Sequence, residues 1–567
     1  MGRSVGQTNC KRIGKNTLFV DFLFRYWHTI RHLKPIQFYA RLWHRFYSPI
    51  PDLRSAPCIR RKKGVWRASA CSHPSMLGPK KFKFLSVEGA LSEVGWDGPQ
   101  RDKLWRYNQH YFDYLNAGES VSRKDWQLSL LSNWILNNEP GKGNGWEPYP
   151  TSLRIVNWIK WSLSGNTLSP DCQNSLAVQA RWLSKRLEHH LLGNHLFANA
   201  KALIFAGVFF EGLESDAWFS TGMKILNEQV PEQILADGGH FERSTMYHAL
   251  IFEDMLDLCN LAETHPDRFE SSFHQTQLED WYQKIPKMCE WMQAMNHLDG
   301  EISFFNDAAL GISLNGSELI EYGHRLGFDV KVNSNQSVWM QESGYARILC
   351  DNALAILDLA PIAPDYLPGH GHADTLSFEL SIFGHRILVN SGTSCYGTSN
   401  ERLRQRATSA HNTVTINEEN SSEVWGGFRV ARRARVLSPK VDLQGKVKSA
   451  VCSHDGYKRL AGKPIHKREW KLSDDCFVVR DEVSSKHVSA VARFHFHPSL
   501  DIISVTEDLS YGYAILPCGR KVKWKIELGL GGIENTSWHP KFGISIPSKC
   551  LKVKLINGSS QICWSWN

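Results

Sequence analysis

At 567 residues the chain exceeds what one hydrophobic core can serve, so two or three domains are expected. Its 42% apolar and 22% charged content is that of a soluble globular protein, and no stretch approaches the roughly 18 apolar residues that span a bilayer. Thirteen cysteines, odd in number and without CxxC pairs, argue against a disulfide framework and a cysteine zinc module. The net charge of +9 is unevenly placed. Residues 1–63 hold fourteen Lys/Arg against Asp21 and Asp52, a local +12 that leaves −3 for the rest. Such a segment attracts nucleic acid, anionic lipid or an acidic polysaccharide, or is a solvated basic face. No nucleic-acid-binding signature accompanies it, so nucleic acid is not an expected partner.

Taken in order, residues 1–100 read as a basic helical N-terminal extension. Residues 1–65 form one or two amphipathic helices striped by Trp27, Leu33, Phe38, Leu42, Trp43 and Phe46. Leu18–Phe24 is short, is interrupted by Asp21 and lacks a convincing small-residue cleavage site, which reads as an amphipathic helix rather than a signal peptide. The run from Leu104 to Tyr114 is aromatic and polar at once, and its Asn108, His110 and Tyr111 suit a groove wall. Residues 101–335 are an all-α domain: Trp126–Leu136, Ser152–Leu163, Ala177–Leu192, His195–Glu211, Thr221–Leu235, Ser244–Thr264 and Gln277–Met295 repeat apolar residues at three- and four-residue steps. Gly- and Pro-bearing loops separate them. The polar run Val332–Ser337 marks a boundary. In residues 336–567, segments such as Tyr345–Leu359, Leu376–Phe383, Arg386–Asn390, His466–Leu472 and Gln561–Trp566 alternate apolar and polar, the pattern of an antiparallel β domain.

Three motifs carry chemistry. His370 and His372 stand two apart, so an extended chain sends both rings from one face, and Asn390 and His411 end two further β-like runs. That set suits a zinc-type centre, a proton-transfer site, or plain loop histidines. In Gly193-Asn194-His195, glycine breaks a periodic helix. Asn194 then either caps the next helix or, with His195, offers donors to an anion at its N-terminus. In the stretch Asp237–His248, Ser244 reads as an N-cap with Tyr247 in the first turn, while Glu242 and Arg243 form either a surface ion pair or part of a groove. His495 and His497 share a strand face, read as polar rather than as a second metal site.

His370-Gly-His372-Ala-Asp374, Leu388-Val-Asn390-Ser-Gly392-Thr393 and Ala410-His411-Asn412-Thr413-Val414 resemble the C-terminal half of the heparinase II/III-like family, polysaccharide lyases of uronate-containing polymers. The segments around Asn108, Arg154, Asn194 and Tyr247 are similar to its helical half. The resemblance implies an α+β multidomain chain, an incomplete (α/α) toroid followed by an antiparallel β-sandwich. It implies Asn194 and His195 as neutralisers of a substrate carboxylate, Tyr247 as acid, His370 as neutraliser or base, and Tyr396 as a second tyrosine. Asn108, His110, Tyr111, Tyr149, Arg154, Glu242 and Arg243 become contacts to an acidic sugar. His372 and His411 resemble ligands of one structural zinc; Asn390 stands where relatives usually place Asp, keeping a carbonyl oxygen but losing a charge. The implied partner is an acidic polysaccharide, and the implied location the periplasm or cell envelope, with the cytoplasm as alternative.

This inventory matches β-elimination, which needs a neutralised carboxylate, a base at C5 and an acid at the leaving oxygen. Two other readings stay open: a glycoside hydrolase using Asp237 and Glu242 as its carboxylate pair, and a non-catalytic glycan-binding component of exopolysaccharide assembly.

Overall fold

The structure, a computed structural model, describes residues 15–330 and 336–566, with side chains from residue 22 onward. Val332–Asn335 of the expected boundary lie outside the described residues. The helical half runs through Lys103–Tyr111, Lys124–Asn137, Pro148–Leu163, Pro170–Ser184, Gly193–Phe209, Leu213–Gln233, Thr245–Thr264, Ser272–Ala294 and Gly316–Arg325. Local chemistry sets the starts. Pro148 and Pro170 occupy first turns, where the missing N–H costs nothing, and Ser169, Ser244 and Ser271 accept from the amide three residues on. Gly193–Phe209 is apolar on nearly every side and almost wholly buried, packed between Pro148–Leu163 and Leu213–Gln233.

Two expectations are corrected. Residues 1–100 are not only a basic helical extension. After helices Lys15–Ile30 and Pro35–Phe46 comes an antiparallel sheet of Met76–Gly78, Lys81–Phe84 and Val87–Ala90. The alternation Lys-Phe-Lys-Phe sends Phe82 and Phe84 into the core of the helical half, where Phe82 meets Tyr114 at 5.2 Å and Phe84 meets Trp105 at 5.4 Å between ring centroids. Tyr345–Leu359 is not one strand but a hairpin, Tyr345–Cys350 against Ala353–Asp358, turned at Asp351-Asn352.

The C-terminal half is antiparallel throughout its named strands, in sheets of five, eight and four strands and a two-stranded hairpin, Val424–Trp425 against Arg429–Val430. His466–Leu472 alternates buried and exposed, so one face of the eight-stranded sheet turns inward. Phe378 of the five-stranded sheet meets Phe477 of the eight-stranded sheet at 5.3 Å, and the core between layers holds Trp470, Trp524 and Trp564.

What positions the site is the junction. Met246 and Tyr247 of helix Thr245–Thr264 cluster with Phe304, Val389, Trp538 and Phe542. Gly193 brings the other side close: a Cβ there would lie 2.2 Å from Leu367 Cδ2, so only glycine lets the 366–370 loop reach this helix start. Among the described residues no helix is long and apolar enough to cross a membrane.

Because Phe82 is fully buried, Phe82→Ala is expected to lower the unfolding free energy by about 3–5 kcal/mol, read from urea denaturation.

Candidate active site

The centre of the junction is Asp307, a buried carboxylate within a mostly apolar run, Ile302 to Leu310. His370 Nδ1 lies 2.8 Å from its Oδ2 and His372 Nε2 lies 2.9 Å from its Oδ1. Arg402 donates to both oxygens, at 2.7 Å from Nη2, and Thr393 Oγ1 donates at 3.2 Å. Burial opposes the charge of Asp307. Arg402 and the two histidines outweigh it and hold the carboxyl well below the usual carboxylate range. An ionised Asp307 fixes the tautomers: His370 donates from Nδ1, leaving its Nε2 with a lone pair. His370 and His372 thus share a partner, but from a loop rather than the expected strand.

Around His370 stand the two tyrosines. Its ring lies 4.1 Å from that of Tyr247, and the Tyr247 and Tyr396 hydroxyls are 3.0 Å apart. Tyr247 is 7% exposed and enters through the first turn of its helix, where Ser244 Oγ accepts its amide, as the sequence suggested. Burial pushes both phenols well above their ordinary range, with Tyr396 and Asp307 adding to it at Tyr247 and Asp307 adding at Tyr396. Both are protonated hydroxyls at neutral pH.

Asn194 is not a cap: the helix starts at Gly193 after Leu192, which takes a left-handed φ of 65°, and Asn194 sits in the first turn. Its carboxamide makes no hydrogen bond to other described residues. His195, 30% exposed by side chain, stacks on Tyr149 at 4.5 Å and holds Glu188 Oε1 at 3.1 Å from Nδ1. Burial disfavours its charge, yet Glu188, reinforced by Glu242, outweighs burial and raises its pKa. Tyr111 meets Tyr149 edge-on at 6.0 Å and completes that wall. Glu242 is buried, both carboxylate oxygens lack a hydrogen-bond partner, and one lies 3.9 Å from His370 Nε2. Burial raises its pKa, opposed by His370 and His195.

Other expected contacts are not in the site. Arg154 is 0% exposed: its guanidinium lies 3.9 Å from the Trp134 ring, and Nε donates to Gln179 at 2.9 Å. His110 is equally buried. Its Nδ1 accepts from Trp134 Nε1 at 3.0 Å, and burial, then Arg154, push it down to about 3. Asn108 returns its amide to Leu104 of its own helix. Arg243 pairs with no carboxylate among the described residues; it donates to the Ser343 and Phe241 carbonyls. Asp237 accepts from Ser343 N and Oγ at 2.7 and 2.9 Å and from Gly239 N at 3.1 Å. A carboxylate so committed to the domain junction is not half of a hydrolytic pair. Asp307, Arg402 and Glu188 went unread in the sequence. The one signal for Asp307 is a charge within a mostly apolar run; Arg402 and Glu188 carry none.

The residues implied for a metal bear a specific test. His411 Nδ1 donates to the Ala407 carbonyl at 2.8 Å and His372 Nε2 to Asp307, so lone pairs on His372 Nδ1 and His411 Nε2 face each other at 3.1 Å. Two such lone pairs repel unless a proton or cation lies between them. Burial holds His372 at about 4 and His411 well below its ordinary value, so at neutral pH a cation fits better than a proton. Asn390 Oδ1 accepts from Asn412 N at 3.1 Å and keeps one lone pair. The donor set is thus two imidazoles and an amide, and no group of three or more His, Cys, Asp or Glu is assembled among the described residues.

A helical toroid joined to an antiparallel β module, with imidazoles, phenols and a helix start meeting at the seam, defines a class of two-module proteins. The chain belongs to the heparinase II/III-like family: the family model described as "Heparinase II/III N-terminus" matches residues 101–316, and that described as "Heparinase II/III-like, C-terminal" matches residues 333–565. The heparin-sulfate lyase of Bacteroides stercoris is 25% identical over 434 residues, 71% of this chain and 62% of its own. That of Pedobacter heparinus is 25% identical over 376 residues, 58% of this chain and 54% of its own. The chain therefore spans less than two thirds of the length of these relatives. Among solved structures, the "Heparinase III-BT4657 gene product" superposes with a TM-score of 0.62 at 19% identity, covering 84% of this chain and 82% of that one. Heparan sulfate lyase HepC from Pedobacter heparinus superposes with a TM-score of 0.56 at 17% identity, covering 94% and 87%. These likenesses establish the fold.

The two buried arginines differ in what their loss leaves behind. Arg154→Ala is expected to cost about 2–3 kcal/mol of stability. Arg402→Ala, which strands a buried carboxylate, is expected to cost about 3–5 kcal/mol. Urea melts check both.

Proposed function

We propose that the chain is a polysaccharide lyase that cleaves an acidic, uronate-containing glycan by β-elimination. The observation that carries this reading is the packing of the His370 ring against that of Tyr247, at 4.1 Å, with the Tyr247 and Tyr396 hydroxyls 3.0 Å apart, in the same chain as a helix start bearing Asn194 and His195. The unpaired Asn194 carboxamide, the His195 imidazolium and the helix N-terminus receive the uronate carboxylate, which makes the C5 proton acidic by stabilising the enediolate-like charge. His370, its Nδ1 held by Asp307, takes the C5 proton on Nε2; Glu242 at 3.9 Å stabilises the imidazolium that forms. The C4–O bond breaks as the C4–C5 double bond forms, and Tyr247, a phenol kept protonated by burial, gives its proton to the leaving oxygen. Tyr396, within hydrogen-bond distance of Tyr247, can return a proton to it. The raised phenol pKa values favour His370 over Tyr396 as base.

The same reading includes one structural zinc held by His372 and His411 with Asn390 as a weak third donor. Bound there, it would supply positive charge to these imidazoles and would stiffen the loop that carries His370. Heparan-type glycans, the substrates named for the similar lyases, head the list of polymers to try.

Three outcomes are expected. Wild-type protein incubated with uronate polymers produces unsaturated, ultraviolet-absorbing chain ends, and Tyr247→Phe lowers that rate by about 10²–10⁴-fold while retaining binding. Because His195 is protonated to a higher pH than a free histidine, activity holds through about pH 6.5 and falls as pH rises through its shifted value; His195→Gln removes that limb and about 10²-fold of the rate. Metal analysis of purified protein finds zinc in substoichiometric amount, and Asn390→Asp, restoring a charged ligand, raises occupancy.

A further inference from the structure

One concave feature of the molecule takes no part in the chemistry above. It is a cavity of about 280 Å³ between the turn after helix Lys15–Ile30, the segment 361–365 and the segment 432–435. Its walls carry Arg31, Arg432, Arg433, Arg435 and His32 against a single carboxylate, Asp365. Arg432 is drawn outward by Glu423, and Arg433 Nη1 holds Asp365 at 2.7 Å. Arg31 spends its Nε on the neutral ring of His32, at 3.1 Å, and neither it nor Arg435 meets a carboxylate among the described residues. The Arg433 side chain is 6% exposed and its Nε is buried without a hydrogen-bond partner. Guanidiniums gathered in a recess raise one another's energy, and an unpaired buried N–H adds to that cost. An oxyanion relieves both, and the fork geometry of arginine suits a carboxylate or sulfo group.

The recess is tied to the seam by backbone. Asp365 precedes His370 by five residues, which places their Cα atoms within ~18 Å. Ile362 and Ala363, in the cavity wall, pack on Gly371 between the two histidines, where an added Cβ would lie 2.9 Å from Ile362 Cγ1 and 3.3 Å from Ala363 Cβ.

We infer that this recess is an oxyanion subsite that receives a sulfo or carboxylate group of the glycan chain several sugars away from the bond cleaved. The inference rests on the reading of the chain as acting on an acidic glycan. It assigns to the basic N-terminal segment a share in binding the chain, supplied by Arg31, and predicts a preference for long substrates.

The test uses the whole 567-residue chain as Tyr247→Phe, which binds with its turnover slowed, and calorimetric titration with size-defined oligosaccharides of a sulfated uronate polymer. Long oligosaccharides are expected to bind roughly tenfold or more tightly than short ones, and Arg433→Ala to abolish that difference while leaving the short ones unaffected. Arg31→Ala with Arg435→Ala, both at exposed positions, gives the same readout should Arg433→Ala unfold. A length dependence untouched by these changes, or no binding of any oligosaccharide, overturns the subsite. Arginine-dependent binding of inorganic sulfate without any length dependence reassigns the recess to a free anion and equally overturns it. Wild-type protein that makes no unsaturated product yet keeps arginine-dependent binding of long chains refutes the lyase reading and leaves the subsite standing.

Discussion

A single buried carboxylate holds the two halves of this molecule in a working relation. Asp307 belongs to the segment that closes the helical half, while His370, His372, Thr393 and Arg402 belong to the β half, and all four converge on it. A lone ion there would be intolerable in a low-dielectric interior; with a guanidinium, two imidazoles and a hydroxyl it is fully satisfied. The pairing is therefore a condition for docking the modules, and the docking orients His370. Stability of the seam and competence of the site depend on the same atoms.

The rest of the site is arranged around that clamp by close approach. Gly193 lets the loop carrying His370 come against the helix bearing Asn194 and His195, and the hydrophobic cluster of Met246, Phe304, Val389 and Trp538 fixes Tyr247 beside it. His195, Tyr149 and Tyr111 then form one wall, braced from behind by Glu188, which also takes the Asn199 amide. Glu242 is the unusual member. A buried carboxylate in this position has electrostatic purpose through the two histidines that flank it and the backbone amide of Asn194 at the helix start.

The N-terminal helices link these halves a second time. Lys34 pairs with Glu232 and lies over the Tyr366 ring at 3.9 Å, and His44 reaches the Leu187 carbonyl. Tyr26 packs on Trp425 at 4.9 Å, within a hairpin whose Phe428 touches both His370 and Tyr396. Among the described residues of this segment, Lys34 thus contributes its charge to the contact between the two halves.

What the sequence by itself determined was everything with a local period or a local motif: the helices of the first half, the alternating strands of the second, the Ser244 cap, the helix break at Gly193 and the histidine pair. Each of these follows from contacts between residues a few positions apart, so spacing reports it. Tertiary structure alone decided which polar residues face one another. Arg154 and His110 look like sugar contacts from composition, yet they fold into the tryptophan core, because a guanidinium can be satisfied by aromatic faces and amides as well as by a ligand. Arg402 and Glu188 announce nothing along the chain and Asp307 only a charge among mostly apolar neighbours, since their partners lie 95, 63 or 7 residues away and only the folded seam stabilises their charge. Local pattern reports how a segment folds; where a buried charge finds its partner is a long-range matter that only the packed modules resolve.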